Sequence, residues 1–176
     1  MFFQRFTVKD PTLLQKDIEE TQRELQAAQA MGDTSKSIEL ASDLGGMLTT
    51  ARREAEAQSL LLEYLALARM HGNNVTTGWL LLNLATANQY LVRKAEVNSQ
   101  FSEALDFAKV HNDKQLEHFV LHHWGRSLVE DGELARAKMC FDQALALRVL
   151  LNVSWQESTQ RALEALDVLI RNSKND

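Results

Sequence analysis

Apolar and small residues return along this chain every forty positions, and the sets they form describe helix faces. Leu25, Leu65, Leu105 and Leu145 share one register, and three residues further stand Ala28, Ala68 and Ala108, with Arg148 as the exception. A step of three keeps both sets on one side of a helix. A second pattern runs Leu44, Leu84 and Trp124, each followed by Gly45, Ala85 and Gly125. Glycine inside a helix costs about 1 kcal/mol relative to alanine, so its return as Gly or Ala predicts a neighbouring helix too close for a larger side chain. That neighbour should also be small where it crosses. Ala57, Val97 and Ala137 fit, followed four residues on by Leu61, Phe101 and Phe141, which would fill the gap, and then by Tyr64, Ala104 and Ala144. Gly32, Gly72, Asn112 and Asn152 keep the same spacing, and Gly and Asn are the residues that most readily take the left-handed conformation ending a helix.

These patterns predict a lone helix at 11–31, pairs at 34–50 with 54–71, 74–91 with 94–111 and 114–131 with 134–151, and a closing helix at 154–172. Asp10 before Pro11 is a capping residue with proline at the first helical position, and Ser154 with Glu157 has capping-box spacing. Gly132 marks the turn inside the third pair, whereas Arg52-Arg53 and Val92-Arg93-Lys94 occupy that turn in the first two without a glycine. One proline and seven glycines in 176 residues leave helices almost uninterrupted, so the fold class expected is all-α, a single domain over 1–176 with repeats at 34–73, 74–113 and 114–153.

A net charge of −5, with both signs mixed along each segment, argues against nucleic acid as a partner. Cys140 is alone, no stretch approaches the ~18 apolar residues of a membrane span, and no signal-peptide cleavage site is present, so a cytoplasmic location without membrane attachment is expected.

The stretch Trp124-Gly125, Leu128, Gly132, Ala137, Phe141 and Ala144 resembles the tetratricopeptide repeat signature. Leu84, Ala85, Val97, Phe101 and Ala104 carry it in the second pair, and Leu44, Gly45, Ala57 and Leu61 in the first. The forty-residue unit is similar to the long-helix version of bacterial signalling proteins, in which a Gly-Asp or Asn-Asp pair ends each unit, as Gly32-Asp33, Gly72-Asn73 and Asn112-Asp113 do here. The resemblance, over residues 20 to 165, implies an α-α superhelix of three helix pairs whose concave face binds a peptide or protein segment. It places groove positions at Glu39, Ser42, Asp43, Gly46, Thr49 and Thr50 in the first pair. In the second they are Trp79, Leu82, Asn83, Thr86, Gln89 and Tyr90. In the third they are Phe119, His122, His123, Arg126, Val129 and Glu130. The partner-binding residues expected are Trp79, Asn83, Thr86, Gln89, Tyr90, Phe119, His122 and Arg126, with Arg126 meeting an acidic group of the bound segment. Chaperones' carboxylate tails are not expected there, because of the clamp positions Ser42, Gly46, Asn83, Phe119 and His123 only Asn83 matches.

Chemistry has little to build on. His118 and His122 have the i, i+4 spacing of two metal ligands, but no third ligand falls at a diagnostic spacing, so no metal is expected and both read as surface or groove residues. His71 and His111 stand at helix ends, where a partly positive ring suits the dipole. Cys140 reads as a half-buried thiol, and Gly46 as a residue tolerated at an exposed position. The expectation is a non-enzymatic adaptor, chaperone or immunity-type subunit without cofactor, the alternative being a receptor for a small signalling peptide. Two further points stay open. The Leu163, Leu166, Leu169 and Ile170 stripe either packs wholly on the third pair or stays partly exposed and joins two chains. The segment Met1-Phe2-Phe3-Gln4-Arg5-Phe6 either folds back or docks on a second chain.

Overall fold

The computed structural model describes residues 2–72 and 74–173. Eight helices hold 82% of them, and no strand occurs among the described residues. The helices are α1 (Pro11–Ala30), α2 (Thr34–Thr50), α3 (Glu54–His71), α4 (Asn74–Tyr90), α5 (Lys94–Val110), α6 (Lys114–Glu130), α7 (Leu134–Leu150) and α8 (Gln156–Asn172). Every helix end lies within two residues of the one expected from the pattern. The chain forms an all-α repeat fold in which neighbouring helices pack in pairs.

Two compact units divide it. The first to close in sequence is residues 6–107, where α1 packs on α2, α2 on α3 and α4, and α3 on α4. The other comprises residues 108–173 together with residues 2–5, where α6 packs on α7, α7 on α8, and α6 on α8.

Helices end where they do because a left-handed residue recurs. Gly32, Gly72, Asn112 and Asn152 all have positive φ, as expected, and so do Arg52, Val92 and Gly132 at the turns inside the pairs. In six of these seven turns the next residue's N–H reaches back to the last helical turn: Asp33 to Ala28, Arg53 to Leu48, Arg93 to Asn88, Asp113 to Ala108, Glu133 to Leu128 and Val153 to Arg148, at 2.8–3.1 Å. That is the Schellman closure, made once every twenty residues. In the seventh, Asn73 of the Gly72-Asn73 pair lies outside the described residues. Starts are capped at Asp10, whose side chain accepts from the Thr12 and Leu13 N–H, and at Asp33 and Asp113, which accept from Lys36 and Leu116. The capping box expected at Ser154 and Glu157 does not form. Instead α8 begins after Trp155 with no side-chain cap, because the Trp155 carbonyl is engaged by Arg148 and by the Ser158 hydroxyl.

Val92 is the costly turn residue. It is exposed, β-branched and held at φ 60°, where a Cβ crowds the following carbonyl. Asparagine tolerates that conformation, so Val92→Asn is expected to raise stability by about 1 kcal/mol, read as a higher melting temperature. An unchanged or lower value would mean that the turn carries no strain.

The forty-residue sets are the core. Leu25, Leu65, Leu105, Ala57, Val97, Ala137, Leu61, Phe101 and Phe141 are all buried, while Trp124 and Leu145 are half-buried. Gly45 and Gly125 make the close approaches predicted, but the groups against them differ from expectation. A Cβ on Gly125 would fall 2.8 Å from Cε1 of Phe141, and one on Gly45 would run into Leu61. The large residue, not the small one a turn earlier, is what presses on the glycine. Tyr64, the odd member of its alanine set, accepts at its hydroxyl oxygen from the Gln29 side-chain Nε2, 2.6 Å away, which gives the buried phenol a partner. In α8, Ala162 and Leu166 are buried and Leu163 and Ile170 partly so, while Val168 and Leu169 stay exposed, so the stripe packs only in part.

Candidate functional site

In the unit of residues 6–107 the candidate face is formed by α2 and α4. Trp79, half-buried, lines a shallow cleft of about 310 Å³ with Glu39, Ser42, Asp43 and Thr76. A neighbouring cleft of about 470 Å³ shares Glu39 and Thr76 and continues to His71 and Val75. The expected wall of small and acidic residues from the first pair therefore does meet the aromatic residue of the second. Asn83 stands in the same wall, but its amide donates to the Ser42 carbonyl at 2.9 Å, tying α4 to α2. Gly46 faces that amide and is half-buried, not exposed, with room for a Cβ at 3.4 Å from Asn83 Oδ1. Thr86 is buried and returns its hydroxyl to the Leu82 carbonyl. Tyr90 is half-buried at the end of α4.

Gln89 is different. It is buried and its Nε2 has no acceptor, the one such side-chain atom among the described residues. Leaving a buried donor unmade costs on the order of 1–3 kcal/mol. Close by in sequence, Asn88 shows the satisfied alternative: its amide bridges Gln58 of α3 and Gln100 of α5.

The unit of residues 108–173 with 2–5 turns the expected groove residues inward. Its centre is Arg148, 1% exposed, at the register position where α1, α3 and α5 keep a buried alanine. A guanidinium in an alanine's place must bring its own partners. Nε donates to His118 Nδ1 at 3.2 Å, and Nη1 donates to the Trp155 carbonyl at 2.9 Å, the Ser158 hydroxyl at 3.1 Å and the Thr159 hydroxyl. Nη1 also lies 3.5 Å from His122 Nδ1, and the Phe119 ring stands 5.6 Å from the guanidinium carbon. Every one of these groups is neutral, and burial alone lowers the arginine from its ordinary, much higher value to about 10.

The histidines pay the electrostatic cost of that neighbour. Burial first, and then the Arg148 charge, hold His118 down at about 4. His122 is driven well below its ordinary 6.5 by burial, and by His123, Arg148 and Arg126 beside it. His123 falls to about 3 by burial and by the two arginines. His118 and His122 are thus not the surface residues that their sequence context suggested. Their i, i+4 nitrogens converge on a guanidinium, which stands where a metal would. No cluster of three His, Cys, Asp or Glu suited to a metal occurs among the described residues. Cys140 is half-buried, its thiol raised by burial, and is no activated nucleophile.

Phe119 packs between the His118 ring at 4.5 Å and the Trp155 ring at 5.9 Å, so its role is to seat α8 on α6. Arg126, expected on an open wall, is 3% exposed. What covers it is the chain's own amino-terminal segment: Arg126 Nε donates to the Phe3 carbonyl at 3.1 Å, and the Phe3 N–H donates to Glu130 Oε1 at 2.9 Å. Arg126 and Glu130 lie one helical turn apart on the same face of α6, so together they hold both backbone polar groups of Phe3, which opens a turn with Gln4. The Phe3 ring rests on the apolar cluster of Leu128, Val129, Ala137, Phe141, Ala162 and Leu166, with its centroid 6.3 Å from that of Phe141. Of the two fates open to residues 2–5, this is folding back.

The signals for the two missed features differ. Arg148 was visible as the single break in an alanine set. Nothing in local sequence linked Phe3 to a helix more than 120 residues away.

No helix among the described residues is long and apolar enough to cross a membrane. No protein-family model matches the chain, and no curated protein matches it.

Proposed function

We propose that this chain is a non-enzymatic interaction module of the tetratricopeptide type, acting in the cytoplasm as an adaptor, chaperone or immunity-type subunit. It takes an extended peptide or protein segment on the first helices of its pairs. One observation carries this reading: α6 already holds a non-helical segment of the chain, with Arg126 and Glu130 binding the backbone of Phe3 at a turn and an apolar cluster receiving its ring. Backbone hydrogen bonds beside a pocket for an aromatic anchor are how a groove takes a bound segment. The cleft beside Trp79, with Glu39 and Asp43 on its rim, is a second surface of the same kind, acidic and aromatic.

Purifying the tagged full-length chain from its native cell is expected to bring a stoichiometric protein with it, identified by mass spectrometry. A co-purifying short peptide in place of a protein would make the chain a receptor for a small signalling peptide. Recovery of neither would overturn the reading. Trp79→Ala is expected to weaken the recovered partner about tenfold or more, as for a central aromatic anchor, with the helix signal in circular dichroism retained.

A further inference from the structure

We propose that the cleft between α2 and α4 is a docking site for an arginine side chain carried on a partner's segment, its guanidinium lying against the Trp79 ring and reaching the Glu39 and Asp43 carboxylates. The inference rests on the reading of the chain as an interaction module and names the residue that one of its faces selects.

The repeat builds this wall. Trp79 stands forty residues after Glu39, so where α4 packs on α2 the ring comes beside the carboxylate of the same register. Asp43 follows Glu39 by one helical turn and therefore shares its face. The Asn83 amide, which donates to the Ser42 carbonyl at 2.9 Å, fixes the two helices to each other at that level. Ring and carboxylates are thus held in place before any ligand arrives, which lowers the cost of binding.

Little answers their charge. No hydrogen bond or ion pair reaches the Asp43 carboxylate from the described residues, and Glu39 has only Lys36 at 3.8 Å, both of those side chains about half exposed. None of the described residues lining the two clefts is a lysine or an arginine. Desolvation raises the Asp43 carboxyl above its ordinary value; Lys36 opposes that rise and Glu39 adds to it. A carboxylate that has lost water without gaining a donor is one that an incoming cation stabilises.

Arginine fits this set better than lysine. Its planar guanidinium stacks on an indole face while its fork of donors serves carboxylates at its edge, whereas an ammonium is a compact and strongly hydrated point charge. The occupant is a protein segment, because the cleft is shallow and runs on. From Glu39 and Thr76 it continues to Ile38 and the exposed Val75, an apolar wall for the residue beside the arginine. A free cation would leave that wall bare.

The test titrates the full-length chain with the peptide acetyl-Gly-Val-Arg-Val-Gly-amide and follows the indole N–H signal of Trp79 by NMR, assigned by its loss in Trp79→Phe. The signal is expected to shift saturably. The peptide with citrulline for arginine, alike in shape but uncharged, should bind about tenfold more weakly or worse, and the lysine peptide more weakly than the arginine one. Both comparisons use the wild-type chain, so neither depends on a variant that folds. Asp43→Asn with Glu39→Gln should also cost about tenfold, with the helix signal in circular dichroism retained. Asp17→Asn with Glu20→Gln, on α1 and outside both clefts, should leave the affinity unchanged. An unmoved Trp79 signal, citrulline or lysine bound as tightly as arginine, or equal losses from the two double variants would overturn the proposal. So would Nα-acetylarginine amide binding as tightly as the peptide, since the ligand would then be a small cation. If a co-purified protein is recovered whose binding survives Asp43→Asn with Glu39→Gln, the arginine assigned to this cleft is wrong while the interaction module stands.

Discussion

Gly125→Leu is expected to destabilise the chain by about 3 to 5 kcal/mol, at or beyond the usual ~1–3 of overpacking. The first added atom is already too close. A Cβ at position 125 would lie 2.8 Å from Cε1 and 2.9 Å from Cδ1 of Phe141, and the leucine adds three more carbons in the same direction. Phe141 has nowhere to go. It is fully buried, with the His122 ring centred 5.6 Å away and that of Phe3 6.3 Å away, so a shift of the ring disturbs the contacts behind it. Gly46→Ala is the matched control. There a Cβ would meet nothing nearer than the Asn83 amide at 3.4 Å, an ordinary contact, so the helix propensity of alanine should prevail and stability rise by about 1 kcal/mol or less. Denaturant titrations of the two variants should thus move in opposite directions. An unchanged midpoint for Gly125→Leu would sink the register of α6 on α7.

Acid is expected to unfold the unit of residues 108–173 with 2–5 well above the pH at which carboxylate chemistry alone would do so. An unfolded histidine protonates near 6.5, whereas His118 in the fold holds off until about 4 and His123 until about 3. Between those values the unfolded chain binds more protons than the folded one, so stability is complete above about pH 6.5 and falls as pH drops towards 4. At about 1.4 kcal/mol per pH unit, His118 by itself withdraws about 3 kcal/mol over that window. His122 adds to the loss, and His123, being partly exposed, adds a smaller share. Against the ~5–15 kcal/mol typical of a folded domain, this suffices to place the acid transition between about pH 4 and 5.5.

The three tryptophans allow the transition to be localised, since Trp124 and Trp155 lie in this unit and Trp79 in the other. In the Trp79→Phe chain, fluorescence should follow the histidine-linked transition. In the unit of residues 6–107 the cleft desolvates Asp43 and raises its carboxyl, a shift of opposite sign that favours the fold slightly as that group protonates. Arg148→Met should flatten the pH dependence only in part, because burial, the larger cause of the His118 shift, stays. A stability independent of pH from 7 to 4.5 would show that the three imidazoles are not held neutral.

Sequence reading recovered most of the fold here because the fold is made of local events repeated. A helix end at Gly32 or Asn112 is decided by which residues tolerate positive φ, and a face such as Leu25 with Ala28 by a spacing of three. Arg52 and Val92 were harder to read because neither favours the conformation it adopts. Only their place on the forty-residue spacing that leads to Gly132 marks them, and the closure is enforced by the Arg53 and Arg93 N–H bonds to the preceding helix. Ser154 failed as a cap for the converse reason, that a tertiary contact took precedence: Arg148 claims the Trp155 carbonyl and thereby sets where α8 begins.

The candidate site divides in the same way. That α2 and α4 would share a wall near Trp79 followed from the repeat, since equivalent helices present equivalent faces. What faces the interior in the other unit did not. His122 and Arg126 carry polar side chains at positions whose register allows an open groove, and only the packing of α8 and the return of Phe3 close over them. Amino-acid order alone determined the period, the buried sets and the helix limits other than the start of α8, because those depend on propensities and spacings within one turn of helix. Tertiary structure decided the charge state of the histidines, the partners of Arg148 and the return of Phe3 to α6. Desolvation and contacts between residues 7 to 127 positions apart, on different helices or loops, exist only once the chain has folded, and no local pattern encodes them.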